Sequence, residues 1–143
     1  MQVSDSLYTI VYLSNVSNDY SPAEMENLIN ISRIRNRQSD ITGILIFGDG
    51  NIIQVLEGSN KEVHETFDRI QHDNRHENLI VLMDDPTEER TFENWSMGFN
   101  SVVPQAYQAI EDISTEERIR LTAFNPNQNL IIKLLQDFVR TNT

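Results

Sequence analysis

The sequence predicts an α+β fold in which helices cover both faces of an antiparallel or mixed sheet. Runs of β-branched and aromatic residues alternate with amphipathic helical runs, and a glycine-rich turn joins two of the strands. The order is strand, helix, strand, strand, helix, strand, with a short further strand after it. This is the ferredoxin-like βαββαβ(β) arrangement, in which two helices lie on one face of the sheet. A ligand can then bind between those two helices.

The first strand and the first helix have clear boundaries. Residues 7–14 form the strand, which is rich in β-branched and aromatic residues and ends in a polar loop. The helix begins after Ser21, because Ser21, Pro22 and Glu24 combine an N-cap, a proline at the first helical position and a capping-box acid. Its apolar stripe ends in an amide, so we expect Asn36 to face inward. The stripe consists of Met25, Leu28, Ile29, Ser32 and Asn36.

A hairpin follows the first helix. Residues 41–47 and 51–57 are expected to pair antiparallel, because the Gly48-Asp49-Gly50 turn between them tolerates positive φ. The two glycines resemble part of a dinucleotide-binding fingerprint, but no helix opens after them. The turn therefore explains both glycines.

The second half of the sheet is less sharply delimited. A helix from about residue 61 to 71 is followed by a polar break at 72–76. The next strand is expected at 79–83, and a last, shorter one around 96–99.

The sheet face opposite the two helices also needs a cover, which the C-terminal part can supply. A helix at about 129–140 carries a broad apolar stripe, and a shorter helix is expected after Ser114. We expect Ile132 and Val139 to lie off the main line of the stripe and to leave apolar surface for a partner or a sister subunit. The sheet residues to be covered are Val11, Leu13, Ile53 and Val55.

Composition narrows the classes of function. The chain has 143 residues, 38% of them hydrophobic, and a formal net charge of −11, which fits one compact domain. This charge opposes binding to nucleic acid and to anionic membranes. The absence of cysteine excludes disulfides, thiolate metal sites and a cysteine nucleophile. Without a long apolar run or a signal-like start, a cytoplasmic protein is expected.

Gln54 is the most informative residue, because it interrupts an apolar strand. A buried polar group without hydrogen bonds costs about 1–3 kcal/mol, so a buried Gln54 requires partners. Its same-face neighbours Ile52 and Leu56 favour burial, although a solvent-facing Gln54 is the alternative. Tyr12, on an adjacent central strand, can approach Gln54, with Asn36 nearby. This cluster suits a planar heterocycle, and the spacing alone is equally compatible with a Tyr–Gln hydrogen bond without ligand.

Other motifs give little support to a metal site or a hydrolase. His72 and His76 have the spacing of a helical metal pair, but no further ligand cluster accompanies them. The chain lacks a Gly-x-Ser-x-Gly elbow, a phosphate-loop lysine motif and a convincing catalytic triad. We therefore expect no metal.

Five motifs stand in one order over roughly residues 7–100, about two thirds of the chain. They are Tyr-Leu-Ser at 12–14, Ile-Thr-Gly at 41–43, Gln-Val-Leu-Glu-Gly at 54–58, Asp-Asn-Arg-His at 73–76 and Arg-Thr-Phe-Glu-Asn-Trp-Ser-Met at 90–97. Together they closely resemble the BLUF family, blue-light sensors that use FAD. The resemblance implies the same ferredoxin-like arrangement, with a noncovalent FAD between the two helices.

The resemblance also implies roles for single residues. Tyr12 matches the tyrosine thought to donate an electron and a proton to photoexcited flavin, and Gln54 matches the glutamine that bridges this tyrosine and the flavin. Asn36 matches the asparagine that is hydrogen-bonded to the flavin ring. Further residues match those lining the polar edge of the flavin or the neighbouring chain, namely Arg69, Asp73, Arg75 and His76.

Three more positions bear on output and on the fit to the family. Trp95 and Met97 match a fifth-strand pair that lies near the glutamine and is linked to signal output. Arg35 departs from the family, because many members carry a second asparagine there. Its guanidinium can instead meet a ribityl or phosphate oxygen of the cofactor.

The function implied is that of a blue-light photoreceptor without an effector enzyme domain, which signals to a partner protein. Electron and proton transfer from tyrosine to flavin would rearrange the hydrogen bonds of the glutamine. The flavin-binding domain is expected over residues 7–103, and a C-terminal helical extension that packs on the sheet over 104–143. A homo-oligomer is also expected. The alternatives are a flavin-dependent reductase, a hydrolase on the same fold and a ligand-free interaction module.

Overall fold

The computed structural model describes residues 6–16, 21–48, 50–73, 76–92, 98–101 and 130–142. They form a five-stranded sheet in the order β4-β1-β3-β2-β5. β1 pairs antiparallel with β3 and β4, β2 pairs antiparallel with β3, and β5 runs parallel to β2. The elements are β1 (Leu7–Val16), α1 (Pro22–Gln38), β2 (Thr42–Gly48), β3 (Asn51–Ser59), α2 (Asn60–Gln71), β4 (His76–Pro86), β5 (Gly98–Ser101) and α3 (Leu130–Thr141). The ferredoxin-like α+β fold is confirmed.

Local sequence signals position α1 and the hairpin. The Ser21 hydroxyl accepts a hydrogen bond from the Glu24 backbone N–H at 3.2 Å, and the Glu24 carboxylate accepts from the Ser21 N–H at 3.4 Å. This is the expected capping box. Between β2 and β3, Gly50 has φ +80°, a conformation that favours glycine over residues with a side chain.

The expected extent of β4 was too short. The strand pairs with β1 from His76 to Pro86, so the expected polar break at 72–76 ends one residue earlier and the strand continues past Met83. The ends of β4 are polar and exposed, as edge strands often are, and therefore carry no apolar alternation. The ends of β4 are set by its backbone pairing with β1. The sequence of β4 by itself does not reveal this pairing.

Two apolar clusters lie on opposite faces of the sheet. The helix-side cluster packs α1 and α2 on Ile10, Tyr12 and Leu56, whereas the opposite cluster packs α3 on Val11, Ile53 and Val55. The C-terminal helix therefore covers the far face, as expected. Its buried residues are Ile131, Ile132, Leu135 and Phe138.

The expectation that Ile132 leaves apolar surface uncovered is wrong, because its side chain is 1% exposed. The stripe of α3 is wide enough to bury Ile132 together with Ile131. Val139 also packs against the far-face cluster, while Leu130 is 54% exposed at the start of the helix. The helix expected after Ser114 lies outside the described residues. None of the described helices is long and apolar enough to cross a membrane.

Candidate functional site

Tyr12 and Gln54 face each other in the middle of the sheet. They are directly paired in the β1–β3 register, and their side chains are 0% and 3% exposed. The Tyr12 hydroxyl donates a hydrogen bond to Oε1 of Gln54. Gln54 is therefore buried, and the solvent-facing alternative is excluded. The two polar groups satisfy each other in an apolar layer, where either one alone would cost about 1–3 kcal/mol.

The surroundings of Tyr12 keep its hydroxyl protonated. Burial raises the pKa of Tyr12 well above its ordinary value, and the negative charge of Asp73 raises it further. The ring of Phe67, on α2, packs against the Tyr12 ring with centroids 5.4 Å apart. Tyr12 is thus held as a neutral hydrogen-bond donor in a fixed orientation.

A narrow cleft of about 40 Å³ lies between α1 and α2 and reaches Gln54. Asn36, from the C-terminal part of α1, lines the same cleft and is 3% exposed. Two buried primary amides, each with donors and an acceptor, therefore meet in one cleft. The apolar part of the lining is formed by Leu28, Ile31, Leu45, Leu56 and Ile70.

Charged side chains also line this cleft. Arg35 and Arg69 are exposed, and Asp73 is half-buried. The combination of apolar walls, buried amides and exposed guanidinium groups suits a flat ring system with N–H and C=O edges that carries an anionic tail. The donor set of this cleft fits FAD.

The structure thus brings five of the expected cofactor-binding residues to one cleft, namely Asn36, Gln54, Arg35, Arg69 and Asp73. For His76 only the backbone is described, and it opens β4 opposite Val16. Arg75, Trp95 and Met97 lie outside the described residues. Ser32 and Thr66 also line the cleft. Thr66 was missed, although it lies one residue before Phe67 and three after Val63, on the inward side of α2.

A larger cleft, of about 420 Å³, lies on the far face beside α3. Its asparagines bond one another: Asn78 donates to Asn15 at 3.0 Å, Asn15 donates to Asn51, and Asn51 donates to Asn142 at 2.9 Å. Tyr12 and Gln54 do not line it. We therefore assign the functional site to the smaller cleft, whose chemistry fits a ligand.

Comparison with known proteins gives a family match over most of the described sheet. The family described as BLUF, sensors of blue-light using FAD, matches residues 7–98. The chain is 36% identical over 86 residues to the Blue light- and temperature-regulated antirepressor BluF of Escherichia coli (strain K12), covering 60% of this chain and 21% of that protein. It is 26% identical over 137 residues to Photoactivated adenylate cyclase subunit alpha of Euglena gracilis, covering 96% of this chain and 12% of that protein. The chain spans about a fifth or less of these curated relatives.

Solved structures give the same result. A Klebsiella pneumoniae BlrP1 complex with calcium and cy-diGMP superimposes with a TM-score of 0.76 at 28% identity, covering 94% of this chain and 34% of that one. BlrB, a BLUF protein in its dark state, superimposes with a TM-score of 0.66 at 28% identity, covering 82% of this chain and 92% of that one.

The burial of Tyr12 predicts how stability depends on alkaline pH. Its pKa is raised in the folded state, so its stabilising contribution is complete below the ordinary pKa of 10.0 and is lost as pH rises above it. Each such group lowers the free energy of unfolding by at most about 1.4 kcal/mol per pH unit. Urea unfolding of the flavin-loaded protein between pH 9 and 11 should show a steeper loss for wild type than for Tyr12→Phe. Equal slopes would contradict the burial of a neutral Tyr12.

Proposed function

The chain belongs to the BLUF family, sensors of blue light using FAD, and on that premise we propose that light acts on the hydrogen bond between Tyr12 and Gln54. The observation that carries this proposal is the pairing itself. A buried phenol donates to a buried amide that lines the FAD-compatible cleft. We infer that these residues form a photosensor that acts on another protein.

The cleft residues hold FAD noncovalently in this proposal. The amides of Asn36 and Gln54 bond the polar edge of the ring, and Arg35 and Arg69 lie where guanidinium groups can pair with the cofactor's phosphates. When bound, FAD supplies the absorption of blue light and an excited state that accepts an electron. The absence of cysteine excludes attachment through a cysteine side chain.

The Tyr12–Gln54 pair responds to a change at either partner. The Tyr12 hydroxyl has one proton to donate, and its raised pKa keeps that proton in place in the dark. If Tyr12 gave an electron and this proton to the excited flavin, Oε1 of Gln54 would lose the hydrogen bond from Tyr12. A buried acceptor without a donor is costly, so the amide rotates or tautomerises to recover a partner.

The output of this change passes to a partner protein. One relative is named an antirepressor and another an adenylate cyclase, so output differs between members of the family. We place the output of this chain on the far face of the sheet, where α3 packs on β2 and β3. A shift in strand packing moves α3 between arrangements of similar stability and changes its contact with a partner or a sister subunit. The flavin-binding domain at 7–103 and its extension at 104–143 act here as one unit.

Gln54→Leu tests the light-sensitive bond. Leucine fills a similar volume but offers neither donor nor acceptor, so the variant should bind flavin and lose the reversible red shift of the flavin absorption band. Gln71→Leu, at an exposed glutamine of α2, is the matched control and should behave as wild type. The measurement is the light-minus-dark absorbance spectrum of each flavin-loaded protein. A wild-type difference spectrum in Gln54→Leu would remove Gln54 from the mechanism.

Asn36→Ala tests the cleft as the FAD site. Loss of one hydrogen bond to the ring, worth about 1.4 kcal/mol, should weaken FAD binding about tenfold. Asn30→Ala is the matched control, because Asn30 lies on the same helix and is exposed. Affinity is measured by titrating the flavin-free protein with FAD and following fluorescence. Equal affinities of the two variants would place the ring elsewhere.

A further inference from the structure

Glu57 is a buried carboxylate that does not line the cleft between α1 and α2. It lies on β3 three residues after Gln54, so its side chain points to the opposite face of the sheet. The residue is 0% exposed, and burial raises its pKa. A carboxylate in such a place is costly unless several donors surround it. β3 therefore carries two buried polar side chains, Gln54 and Glu57, one on each face of the sheet.

The donors that satisfy Glu57 come from the connection between β4 and β5. The Thr91 backbone N–H donates to both carboxylate oxygens at 2.9 Å, and the Phe92 N–H donates to Oε1 at 2.9 Å. A side-chain hydrogen bond from Thr91 adds to these. Glu57, which lies on β3, thus holds the backbone of residues 91 and 92 by hydrogen bonds.

Arg90 closes the same connection from the side of β2. Its guanidinium donates to the Asp40 carbonyl at 2.8 Å, to the Asp40 carboxylate at 3.2 Å and to the Thr42 hydroxyl at 3.0 Å. It also lies 3.4 Å from the Glu57 carbonyl oxygen. Buried or partly buried hydrogen bonds of the Glu57 and Arg90 side chains therefore connect the segment 90–92 to β3 and to the start of β2.

This segment leads in two directions toward the proposed output. Beyond it the chain continues to β5, which pairs with β2. Phe92 itself is 3% exposed and belongs to the far-face cluster that contains Ile131, Leu135 and Phe138 of α3. Phe92 thus links the segment 90–92 to the packing of α3, and β5 follows this segment along the chain.

We propose that Glu57 is a positioning residue that couples the hydrogen bonding of Gln54 to the segment 90–92, and through it to β5 and α3. The inference rests on the proposed function, since light must first change the bonds of Gln54. The two side chains share one strand, so a shift or twist of β3 at Gln54 displaces the Glu57 carboxylate on the other face. The hydrogen bonds that the Glu57 side chain accepts from the Thr91 and Phe92 N–H groups carry that displacement to the backbone.

Thr9 gives the carboxylate an alternative donor. Its hydroxyl is the buried side-chain polar atom that lacks a hydrogen-bond partner within the described part of the chain. Thr9 lies directly opposite Glu57 in the β1–β3 register and on the same face. Glu57 can therefore exchange a bond to the segment 90–92 for one to Thr9 without exposing its charge.

Hydrogen exchange in the dark and under blue light tests this coupling in the flavin-loaded full chain. Wild type should exchange at least twofold faster under light in peptides covering residues 87–101. Glu57→Leu should keep the flavin red shift, because Glu57 faces away from the cleft, and should lose the light-dependent difference in these peptides. Glu57→Gln keeps an oxygen acceptor for Thr91 and Phe92 and should retain at least half of the difference. Glu77→Gln, at an exposed carboxylate of β4, should match wild type.

The red shift separates failure of the coupling from failure of the photoreceptor proposal. A full light-dependent difference in Glu57→Leu overturns the coupling, and so does a wild-type protein that shows the red shift without any difference at 87–101. A wild-type protein without the red shift overturns the proposed function and this inference with it. If Glu57→Leu does not fold, Arg90→Lys replaces it, because the compact lysine ammonium lacks the planar fork with which Arg90 reaches Asp40, Thr42 and the Glu57 carbonyl. An unchanged difference in Arg90→Lys then overturns the coupling.

Discussion

The structure depends on keeping two polar side chains satisfied inside an apolar sheet. Tyr12 and Gln54 occupy paired positions on the two central strands, between neighbours that are fully buried. Both side chains are buried away from solvent, so the hydrogen bond between them offsets the cost of burying both polar groups. Helices α1 and α2 pack over the same face and leave a cleft beside the pair. The Tyr12–Gln54 hydrogen bond, which stabilises the sheet, is therefore also one that a flavin bound in the cleft can affect.

β3 connects the two functional faces of the molecule. Residues with even numbers, such as Gln54, point toward the cleft, and residues with odd numbers, such as Val55 and Glu57, point toward α3 and the segment 90–92. A strand at the centre of a sheet is stiff, because both of its edges are hydrogen-bonded. In the coupling that we propose, a change of bonding on one face reaches the other through the backbone of this single strand. This geometry explains how a change confined to one amide can alter the packing of a helix on the far side.

The sequence predicts those features that local pattern or a buried polar group determines. The two-residue period around Gln54 and the helical period ending at Asn36 place both amides correctly in the cleft. The ends of β4 and the burial of Ile132 were not predictable, because pairing with β1 and the fit of α3 on the sheet decide them. The bonds of Glu57 to Thr91 and Phe92 join residues 34 and 35 positions apart, and no periodicity relates them. Arg35 and Arg69 are placed at the cleft, although the contacts they make with a cofactor stay a prediction.

Light should change the hydrogen bond of Tyr12. An infrared light-minus-dark difference spectrum of the flavin-loaded protein measures this change. The chain has four tyrosines, so the protein is prepared with isotopically labelled tyrosine, and Tyr12→Phe identifies the contribution of Tyr12. The wild-type spectrum should contain tyrosine bands that shift with the label, and these bands should be missing in Tyr12→Phe. Flavin bands that change on illumination without any label-sensitive tyrosine band would contradict this expectation.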